Sequence, residues 1–305
     1  MKKIVVRVLI SLAVLAILLF GLFLLLLSIS ETVPEQSNYR INIAEIRRLA
    51  GNDSLPVNVT ALLIAKADFI KGQVIAAGGF DPYTFHFTTY KIQYEDSSSV
   101  IIDPYFSQDV QSLVFPDQPF YSDAYYSMQG EMDNAFLIIA THEHFDHVGG
   151  IFTTNHFDQI KSHVRLTREQ QAGLLQDGDI LEFVGAERIN SIHTIDYQTI
   201  IKLAPGIVAI KAPGHTIGSQ LIYVKLQNGN EYLFLGDIVW SKANIDELTN
   251  RSTFSSLLGD ENSEQVVNEI RMLYNLQITT SIHLIISHDG EQLNDNLRRG
   301  LIDQL

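Results

Sequence analysis

Cysteine is absent from this chain of 305 residues, and tryptophan occurs once. A chain without cysteine has no disulfide, no thiolate-bound metal and no thiol nucleophile, so any metal site must use histidine and carboxylate side chains. Basic residues are also scarce: 21 Lys and Arg stand against 35 Asp and Glu, for a formal charge of -14. This balance argues against a nucleic-acid partner, because phosphate contacts need a basic surface.

One segment near the start lacks charge altogether. Residues 8–30 are mostly Leu, Ile, Val, Phe and Ala, and the basic residues Lys2, Lys3 and Arg7 precede them. As a helix they span roughly 34 Å, enough to cross a hydrocarbon core about 30 Å thick. The basic residues place the N-terminus in the cytoplasm. We therefore expect residues 1–30 to be a cytoplasmic stub and a transmembrane anchor, with the remaining chain outside the cytoplasm.

A cleaved signal peptide, which would leave a secreted protein, is the alternative to the anchor. Ser28-Ile29-Ser30 is a small-x-small triplet of the kind that a signal peptidase accepts. The length of the apolar run favours the anchor, because the apolar region of a signal peptide usually has about 7 to 15 residues. Beyond residue 30 the chain has 18 basic and 35 acidic residues, a formal charge of -17.

The rest of the chain divides into a polar stretch and one domain. Residues 31–57 contain Pro, Asn and Gly around a short helical stretch, and we interpret them as a juxtamembrane linker. Residues 58–305 show no break in composition and mix β-branched strand patterns with helical patterns, which indicates a single α/β domain of layered (α+β) architecture. The strand patterns lie at 57–62, 84–92, 100–103, 135–141, 207–211, 221–226, 231–235 and 283–287.

Helical patterns cover about 149–173, 262–277 and 291–303, and residues 104–130 and 241–262 are predicted as loops that could cover a site. The run 135–141 is continuously apolar, as in a strand that is buried on both faces.

The densest chemical signal is T-H-E-H-F-D-H, residues 141–147, immediately after this buried strand. Residues two apart point the same way in an extended or tightly turned segment. His142 and His144 can therefore converge on one ion, while Asp146 and His147 turn towards another. A lone histidine is usually a packing or surface residue, but three histidines and an aspartate in six positions indicate a metal site.

Three further candidate ligands follow apolar strands in the second half. They are His215, Asp237 and His288, and each has a glycine next to it or shortly after it. Glycine lets the backbone bend close to an ion, although it also marks ordinary turns. We interpret the other histidines as surface or packing residues: His86, His156, His163, His193 and His283.

In these positions the chain resembles the metallo-β-lactamase superfamily of hydrolases, whose signature is H-x-H-x-D-H followed by a His, an Asp and a His. The resemblance covers roughly residues 58–300 and implies an αββα sandwich with a dinuclear centre at one edge of the two sheets. It implies His142, His144 and His215 on one zinc ion, Asp146, His147 and His288 on the second, and Asp237 bridging both. Asp103, which closes an early strand, matches a further position that orients ligands.

The implied centre holds two Zn ions, with Fe or Mn as alternatives, because imidazole and carboxylate suit all three metals. Metal-bound water has a pKa of about 7, so a bridging hydroxide supplies the nucleophile near neutral pH. Asp146 would both ligate a metal and receive or hand on the proton as the catalytic acid–base residue.

Departures from the family pattern favour one branch. The bridging Asp237 argues against the true β-lactamases, and His144 argues against the di-iron branch, which has Glu there. The ligand spacing looks most like that of the N-acyl-homoserine lactonases. These carry a Tyr three residues after the bridging Asp, whereas this chain has Trp240, which we interpret as either a wall of an apolar substrate pocket or a core residue.

We therefore expect a membrane-anchored dinuclear zinc hydrolase that cleaves a carboxylic ester, lactone or related acyl bond of a small molecule. A metal-dependent phosphodiesterase acting on a lipid or small phosphodiester is one alternative, and a non-catalytic module braced by metal is another. The sequence does not predict the substrate, the oligomeric state or the residue that assists at the substrate carbonyl; Tyr105, Tyr121, Tyr125 and Tyr126 are candidates for that last role.

Overall fold

Alternating apolar residues build a first sheet that is covered on both faces. In β1 (Asn58–Ile70), Val59 and Ala61 enter one hydrophobic cluster while Leu62 and Ile64 enter another. The computed structural model describes residues 2–305. The first sheet has the order β12-β1-β2-β3-β4. Its other strands are β2 (Pro82–Gln93), β3 (Ser99–Ile102), β4 (Leu137–Ile139) and β12 (Asp303–Gln304).

A second five-stranded sheet, in the order β11-β10-β9-β8-β7, packs against the first. Side chains from both inner faces form one cluster, in which Tyr90 of the first sheet meets Phe234 of the second at 5.0 Å between ring centroids. Its strands are β7 (Ile200–Ala204), β8 (Ile207–Lys211), β9 (Gln220–Lys225), β10 (Glu231–Phe234) and β11 (His283–Ile285). A small third sheet pairs β5 (Leu166–Thr167) with β6 (Thr194–Ile195).

Helices cover the outer face of each sheet, which gives four layers in the order αββα. Those on the side of the first sheet are α3 (Lys71–Val74), α4 (Gln108–Val114), α5 (Ser122–Asn134), α6 (Phe145–Thr153), α7 (Phe157–Ile160), α8 (Arg168–Gln176), α9 (Gly178–Val184) and α10 (Ala186–Asn190). Those on the side of the second sheet are α2 (Ile43–Ala50), α11 (Lys242–Asp246) and α13 (Ser263–Thr279). The predicted αββα fold is therefore confirmed. The remaining helices are α1 (Lys2–Ser28), α12 (Thr253–Leu258) and α14 (Gly290–Arg298).

The stretch interpreted as a linker is packed against the domain. Ile46 and Ala50 of α2 are fully buried against the second sheet, and Ser37 donates a hydrogen bond to the carbonyl of Asn268 at 2.7 Å. The amphipathic face of α2 explains the packing, because its buried residues lie four apart on one side of the helix. Residues 31–57 therefore contribute to the core of the second sheet.

Two regions predicted as loops contain helices. Residues 104–130 include α4 and most of α5, and residues 241–262 include α11 and α12. Buried side chains at helical spacing, Tyr125, Met128 and Met132, hold α5 against the first sheet. The residues between them are mostly polar, so the helical spacing of these three apolar residues is hard to recognise in the sequence. The helical stretch predicted at 149–173 is instead divided among α6, α7 and α8.

Helix α1 has the length and composition of a membrane-spanning helix. Residues Lys3–Ser28 have a mean hydropathy of 3.1 over their most apolar window, and that window is not buried in the protein. Only the last part of α1 contacts the domain, where Phe23 meets Phe254 of α12 at 5.1 Å between ring centroids.

Candidate metal centre

The carboxyl ends of several strands meet at one edge of the sandwich. β3 and β4 run parallel in the first sheet, and β10 and β11 run parallel in the second. Side chains that follow parallel strands collect at one edge, which is where such folds present functional groups. They are Asp103 after β3, His142 to His147 after β4, His215 after β8, Asp237 after β10 and His288 after β11.

The seven predicted ligands form two groups that share one residue. The first group is His142, His144, His215 and Asp237, and the second is Asp146, His147, Asp237 and His288. Within each group, one potential ligand atom per residue lies within 4.8 Å of every other. Asp237 belongs to both groups, so its carboxylate stands between the two positions at which ions would sit.

The arrangement of ring nitrogens fits metal ions. His144 Nδ1 lies 3.0 Å from His215 Nε2, and His147 Nε2 lies 3.3 Å from His288 Nε2. The buried Nε2 of His142 has no hydrogen-bond partner among the described residues. A buried nitrogen without a partner is costly in a protein, whereas a cation placed between such nitrogens satisfies them all.

Burial also keeps two of these imidazoles in the form that binds metal. It lowers the pKa of His142 well below its ordinary value and that of His215 to about 4. Both rings are therefore neutral near pH 7, as ligands must be. Burial opposes ionisation of Asp237, yet the neighbouring His288 and His147 outweigh it and hold the pKa of Asp237 well below its usual range. The donor set of imidazoles and carboxylates suits Zn, Fe or Mn.

Asp103 forms hydrogen bonds with two residues of the motif at 141–147. Its Oδ1 accepts a hydrogen bond from the backbone N–H of Thr141 at 2.6 Å, and its Oδ2 lies 2.9 Å from His147 Nδ1. A proton on Nδ1 leaves Nε2 of His147 free to face the second group of ligand atoms. These contacts hold Asp103 against both the backbone and the last histidine of the motif.

A glycine is required where Asp237 enters the site. Gly236 has φ = +53°, and a Cβ on it would lie 2.7 Å from Thr141 Oγ1. Both the left-handed backbone and the close approach exclude larger residues without rearrangement. This turn brings the end of β10 against the motif after β4.

Trp240 lines the cavity and also contacts the site. Its Nε1 donates a hydrogen bond to Asp237 Oδ2 at 2.8 Å, and its ring meets Phe85 at 5.3 Å between centroids. The residue is partly buried against the core of the first sheet and is also among the residues that line the cavity.

Asp146 lies at the base of this open space. Its side chain is 23% exposed, and its Oδ2 lies 3.5 Å from the Nε2 atoms of both His147 and His288. It is the one carboxylate of the second group with clear access to solvent, since Asp237 is buried. A carboxylate that is both near the ligand atoms and accessible can exchange protons with a bound molecule.

A buried ion pair that no sequence pattern predicts lies next to His215. Arg251 Nε lies 3.2 Å from Glu261 Oε2, and Glu261 Oε2 lies 3.3 Å from His215 Nδ1. Burial alone would raise the pKa of Glu261, but Arg251 and His215 lower it to about 2. Arg251 also stacks on the Trp240 ring and donates to the backbone carbonyls of Asp237 and Ile238. Neither residue lies in a motif, so a single sequence offers no signal for them.

Glu143, within the motif, does not face the ligand atoms. It is buried, and it accepts hydrogen bonds from Thr216 Oγ1 at 2.8 Å and from the backbone N–H of Gly218 at 3.3 Å. It therefore ties the loop that carries His215 to the loop after β4.

An apolar cavity of about 730 Å³ opens above both ligand groups. Its floor includes His144, Asp146, Asp237 and His288, and its walls are mostly aromatic and aliphatic. The volume lies within the range of small-molecule sites. The aromatic wall residues are Phe69, Phe85, Phe87, Phe106, Phe115, Phe145, Phe183 and Trp240.

The remaining histidines and the candidate tyrosines lie elsewhere. Within residues 2–305, none of the four tyrosines lines the cavity, and none of the five other histidines belongs to either ligand group. Tyr105, for example, is buried and donates to Gln111, while His156 pairs with Asp133 at 2.6 Å on the surface.

Part of the chain is similar in sequence to known lactonases. The N-acyl homoserine lactonase AiiA of Bacillus thuringiensis subsp. kurstaki is 27% identical over 117 residues, which are 38% of this chain and 44% of that protein. The matched region thus spans less than half of this curated relative. No protein-family model matches the chain.

Two solved structures have the same fold over almost their whole length. A quorum-quenching N-acyl homoserine lactone lactonase superposes with a TM-score of 0.64 at 16% identity, over 79% of this chain and 95% of that one. The dizinc quorum-quenching lactonase AidC, in complex with a product, superposes with a TM-score of 0.54 at 11% identity, over 78% and 92%. The chain therefore has the metallo-β-lactamase fold, and the predicted resemblance to the lactonase-like branch is confirmed.

Proposed function

We propose that this chain is a dinuclear metal-dependent hydrolase, with zinc as its metal, that cleaves a carboxylic ester, lactone or related acyl bond. The observation that carries the proposal is the pair of four-residue ligand groups that share Asp237 beneath an apolar cavity. A purely structural metal site is closed by protein ligands. Here an open cavity of about 730 Å³ leads to the ligand atoms, which favours catalysis over a bracing role.

The related proteins support the acyl substrate and the metal. The sequence relative is named an N-acyl homoserine lactonase, and AidC is described as a dizinc lactonase with N-hexanoyl-L-homoserine as a product. For this chain, the walls of phenylalanine fit an acyl chain, and no lysine or arginine is among the lining residues to receive a phosphate. The phosphodiesterase alternative is therefore less favoured.

When bound, the two ions would bring water to a pKa near 7 and polarise the scissile carbonyl. The residues of the chain prepare this site in three ways. Asp103 orients His147, the Arg251–Glu261 pair fixes His215, and the apolar walls hold the acyl chain and exclude bulk water. Asp146 Oδ2, at the exposed end of the second group, would take the proton from the attacking water and pass it to the leaving oxygen.

Trp240 occupies the position of the tyrosine that assists at the carbonyl in lactonases. Its Nε1–H is already donated to Asp237 Oδ2 at 2.8 Å, so it steadies the shared carboxylate rather than the substrate.

We propose that α1 anchors this activity in the membrane with the domain outside the cytoplasm, as the basic residues before the apolar run predict.

Hydrolysis assays on the metal-loaded full chain in detergent test the proposal. We expect turnover of an aryl ester and a long-chain acyl lactone, little turnover of bis(p-nitrophenyl) phosphate, and a loss of at least about a hundredfold in His142→Ala. His156→Ala, which removes a surface histidine, is the matched control and should keep the parent rate. Full activity after chelation, or phosphodiester turnover above ester turnover, would contradict the proposal.

A further inference from the structure

Two short helices near the cavity, α4 and α12, expose large apolar side chains while they bury polar ones. In α12, Ser255 and Ser256 are buried while Leu257 and Leu258 are 66% and 71% exposed. A helix on the surface of a soluble protein instead turns its apolar face inward. The outward face of α12 therefore has the composition of a surface that contacts something apolar.

Helix α4 buries Val110 in the core, but it also exposes apolar side chains at its C-terminal end. Gln111 is buried at 1% exposure, whereas Leu113 and Val114 are 80% and 54% exposed. These two residues and Leu258 of α12 line the mouth of the same cavity. The exposed apolar residues of α4 and α12 therefore border a single opening, and this opening leads to the candidate metal centre.

Helix α12 is also the part of the domain that packs on the apolar helix α1. Phe254 contacts Phe23, and the backbone N–H of Thr253 donates to the carbonyl of Ile29 at 2.8 Å. Phe23 lies one and a half turns before the end of α1 at Ser28, about 7 Å along the helix axis. If α1 spans a bilayer, any residue in contact with Phe23 lies at the level of the membrane surface or below it.

A third segment joins this surface. The backbone N–H of Ala77 donates to the carbonyl of Leu27 at 3.0 Å, and Phe80 in the same turn is 61% exposed. We define Phe80, Leu113, Val114, Leu257 and Leu258 as the apolar rim. Leu113, Val114 and Leu258 line the cavity, Leu257 precedes Leu258 on α12, and Phe80 follows the segment that bonds to the end of α1. The exposed apolar residues therefore lie on elements that border the cavity or contact the end of the apolar helix.

We propose that the apolar rim contacts the outer leaflet of the membrane that holds α1, and that the cavity takes a long-chain acyl amphiphile directly from that leaflet. The membrane contact rests on the geometry of the rim, and the hydrolysis of the amphiphile rests on the function proposed above. Asp177 and Asp179 also line the cavity and would repel an anionic headgroup. The substrate is therefore an amphiphile with a neutral or cationic headgroup and an acyl chain that reaches the phenylalanine walls.

The absence of cysteine allows the membrane contact to be measured without any assay of activity. Leu257→Cys and Val114→Cys, each in the full chain, are labelled with the environment-sensitive fluorophore NBD and placed in phosphatidylcholine nanodiscs with spin-labelled lipid. Ile278→Cys is the control, because Ile278 is 62% exposed on α13 over the second sheet. We expect blue-shifted, lipid-quenched emission at both rim positions only. Rim positions that behave like residue 278 would overturn the proposal.

Entry from the bilayer is tested with a pair of charged variants, Leu257→Asp and Ile278→Asp. Leu257 belongs to the rim but does not line the cavity. We expect Leu257→Asp to lower turnover of a long-chain acyl ester embedded in vesicles about tenfold or more, and to leave turnover of a short water-soluble aryl ester within about twofold. Ile278→Asp should leave both rates near those of the parent.

The outcomes separate the two proposals. Equal losses on the two substrates in Leu257→Asp, or an unchanged rate on the embedded ester, would overturn entry from the membrane. If the parent chain hydrolyses neither ester, the proposed function fails, and the fluorophore positions alone decide the membrane contact.

Discussion

Asp103 shows how much of the site depends on one backbone conformation. It has φ = +55°, a value uncommon for residues other than glycine but tolerated by Asp and Asn. In this conformation both carboxylate oxygens point at the motif, one to the backbone N–H of Thr141 and the other to His147 and Thr141 Oγ1. The strain is thus balanced by three polar contacts in a buried position.

Asp103→Asn tests this bracing role. Asn accepts the same backbone angle, but its amide group presents donors where the carboxylate accepts, so one contact to His147 or Thr141 is lost. We expect the affinity for the second metal to fall about 10- to 100-fold in a competition titration with a chromophoric chelator. Asp68→Asn, which removes a surface carboxylate bonded to Thr84, is the control. An equal loss in both variants would contradict the role.

A second buried carboxylate, Glu269, lies outside both ligand groups. Glu269 is fully buried on α13, and burial together with the charge of Glu261 raises its pKa from 4.5 to about 8. The folded chain holds a proton there that the unfolded chain releases above about pH 4.5. The free energy of unfolding therefore falls as pH rises from about 4.5 to 8, because the folded state must then ionise a buried group.

Glu269→Gln should remove this pH dependence. We expect the variant to match the parent near pH 5 and to exceed its free energy of unfolding by roughly 1 to 3 kcal/mol near pH 8.5. Denaturant unfolding at the two pH values gives the comparison, with Glu264→Gln on the exposed side of the same helix as control. A variant less stable than the parent at both pH values would show that the carboxylate has another role.

Residues differ in how far the sequence predicts them. The seven ligand candidates share one recognisable spacing, and the structure brings all seven together. Arg251 and Glu261 come from a segment that reads as a loop, and only the fold places them behind His215. Single residues that act through the backbone of a distant loop carry no local pattern, so the sequence alone cannot identify them.

Strands and helices with a regular pattern of apolar residues are predicted well, whereas helices that expose apolar residues are not. The hairpin of β9 and β10 and the long helix α13 lie within two residues of their predicted bounds. Helices α4 and α12 are not predicted because each exposes apolar residues and buries polar ones, which weakens the usual helical pattern. The same exposed apolar residues belong to the apolar rim.

Helix α2 belongs to the domain rather than to a free linker, and one substitution measures this. Ile46 is fully buried against the second sheet, so Ile46→Ala should lower the free energy of unfolding by about 2 to 4 kcal/mol. Arg48→Ala, at an exposed position of the same helix, should change it by less than about 0.5 kcal/mol. An Ile46→Ala chain as stable as the parent in urea would mean that residues 31–57 do not contribute to the core.

At the scale of the whole molecule, the αββα architecture brings residues that are far apart in the sequence together in one site. The motif after β4 comes from the first sheet, whereas His215, Asp237 and His288 come from the second. Asp237 therefore joins the two sheets at their common edge as well as the two ligand groups. Helix α1 attaches beside the cavity mouth, so anchoring, substrate entry and chemistry would occupy one end of the molecule.

Two features of the composition agree with this site: the chain has no cysteine, and its formal charge beyond residue 30 is -17. The absence of thiols leaves imidazole and carboxylate as the ligands, and the two ligand groups contain only these side chains. The acidic surface remains consistent with a small-molecule substrate rather than nucleic acid.

The metal content of the full chain tests the central claim most directly. After dialysis against metal-free buffer, plasma mass spectrometry should find about two divalent ions per chain. Asp237→Ala, which removes a carboxylate from both ligand groups, should reduce this number below one. A parent chain that retains no divalent metal, or an Asp237→Ala chain that retains both ions, would contradict the account.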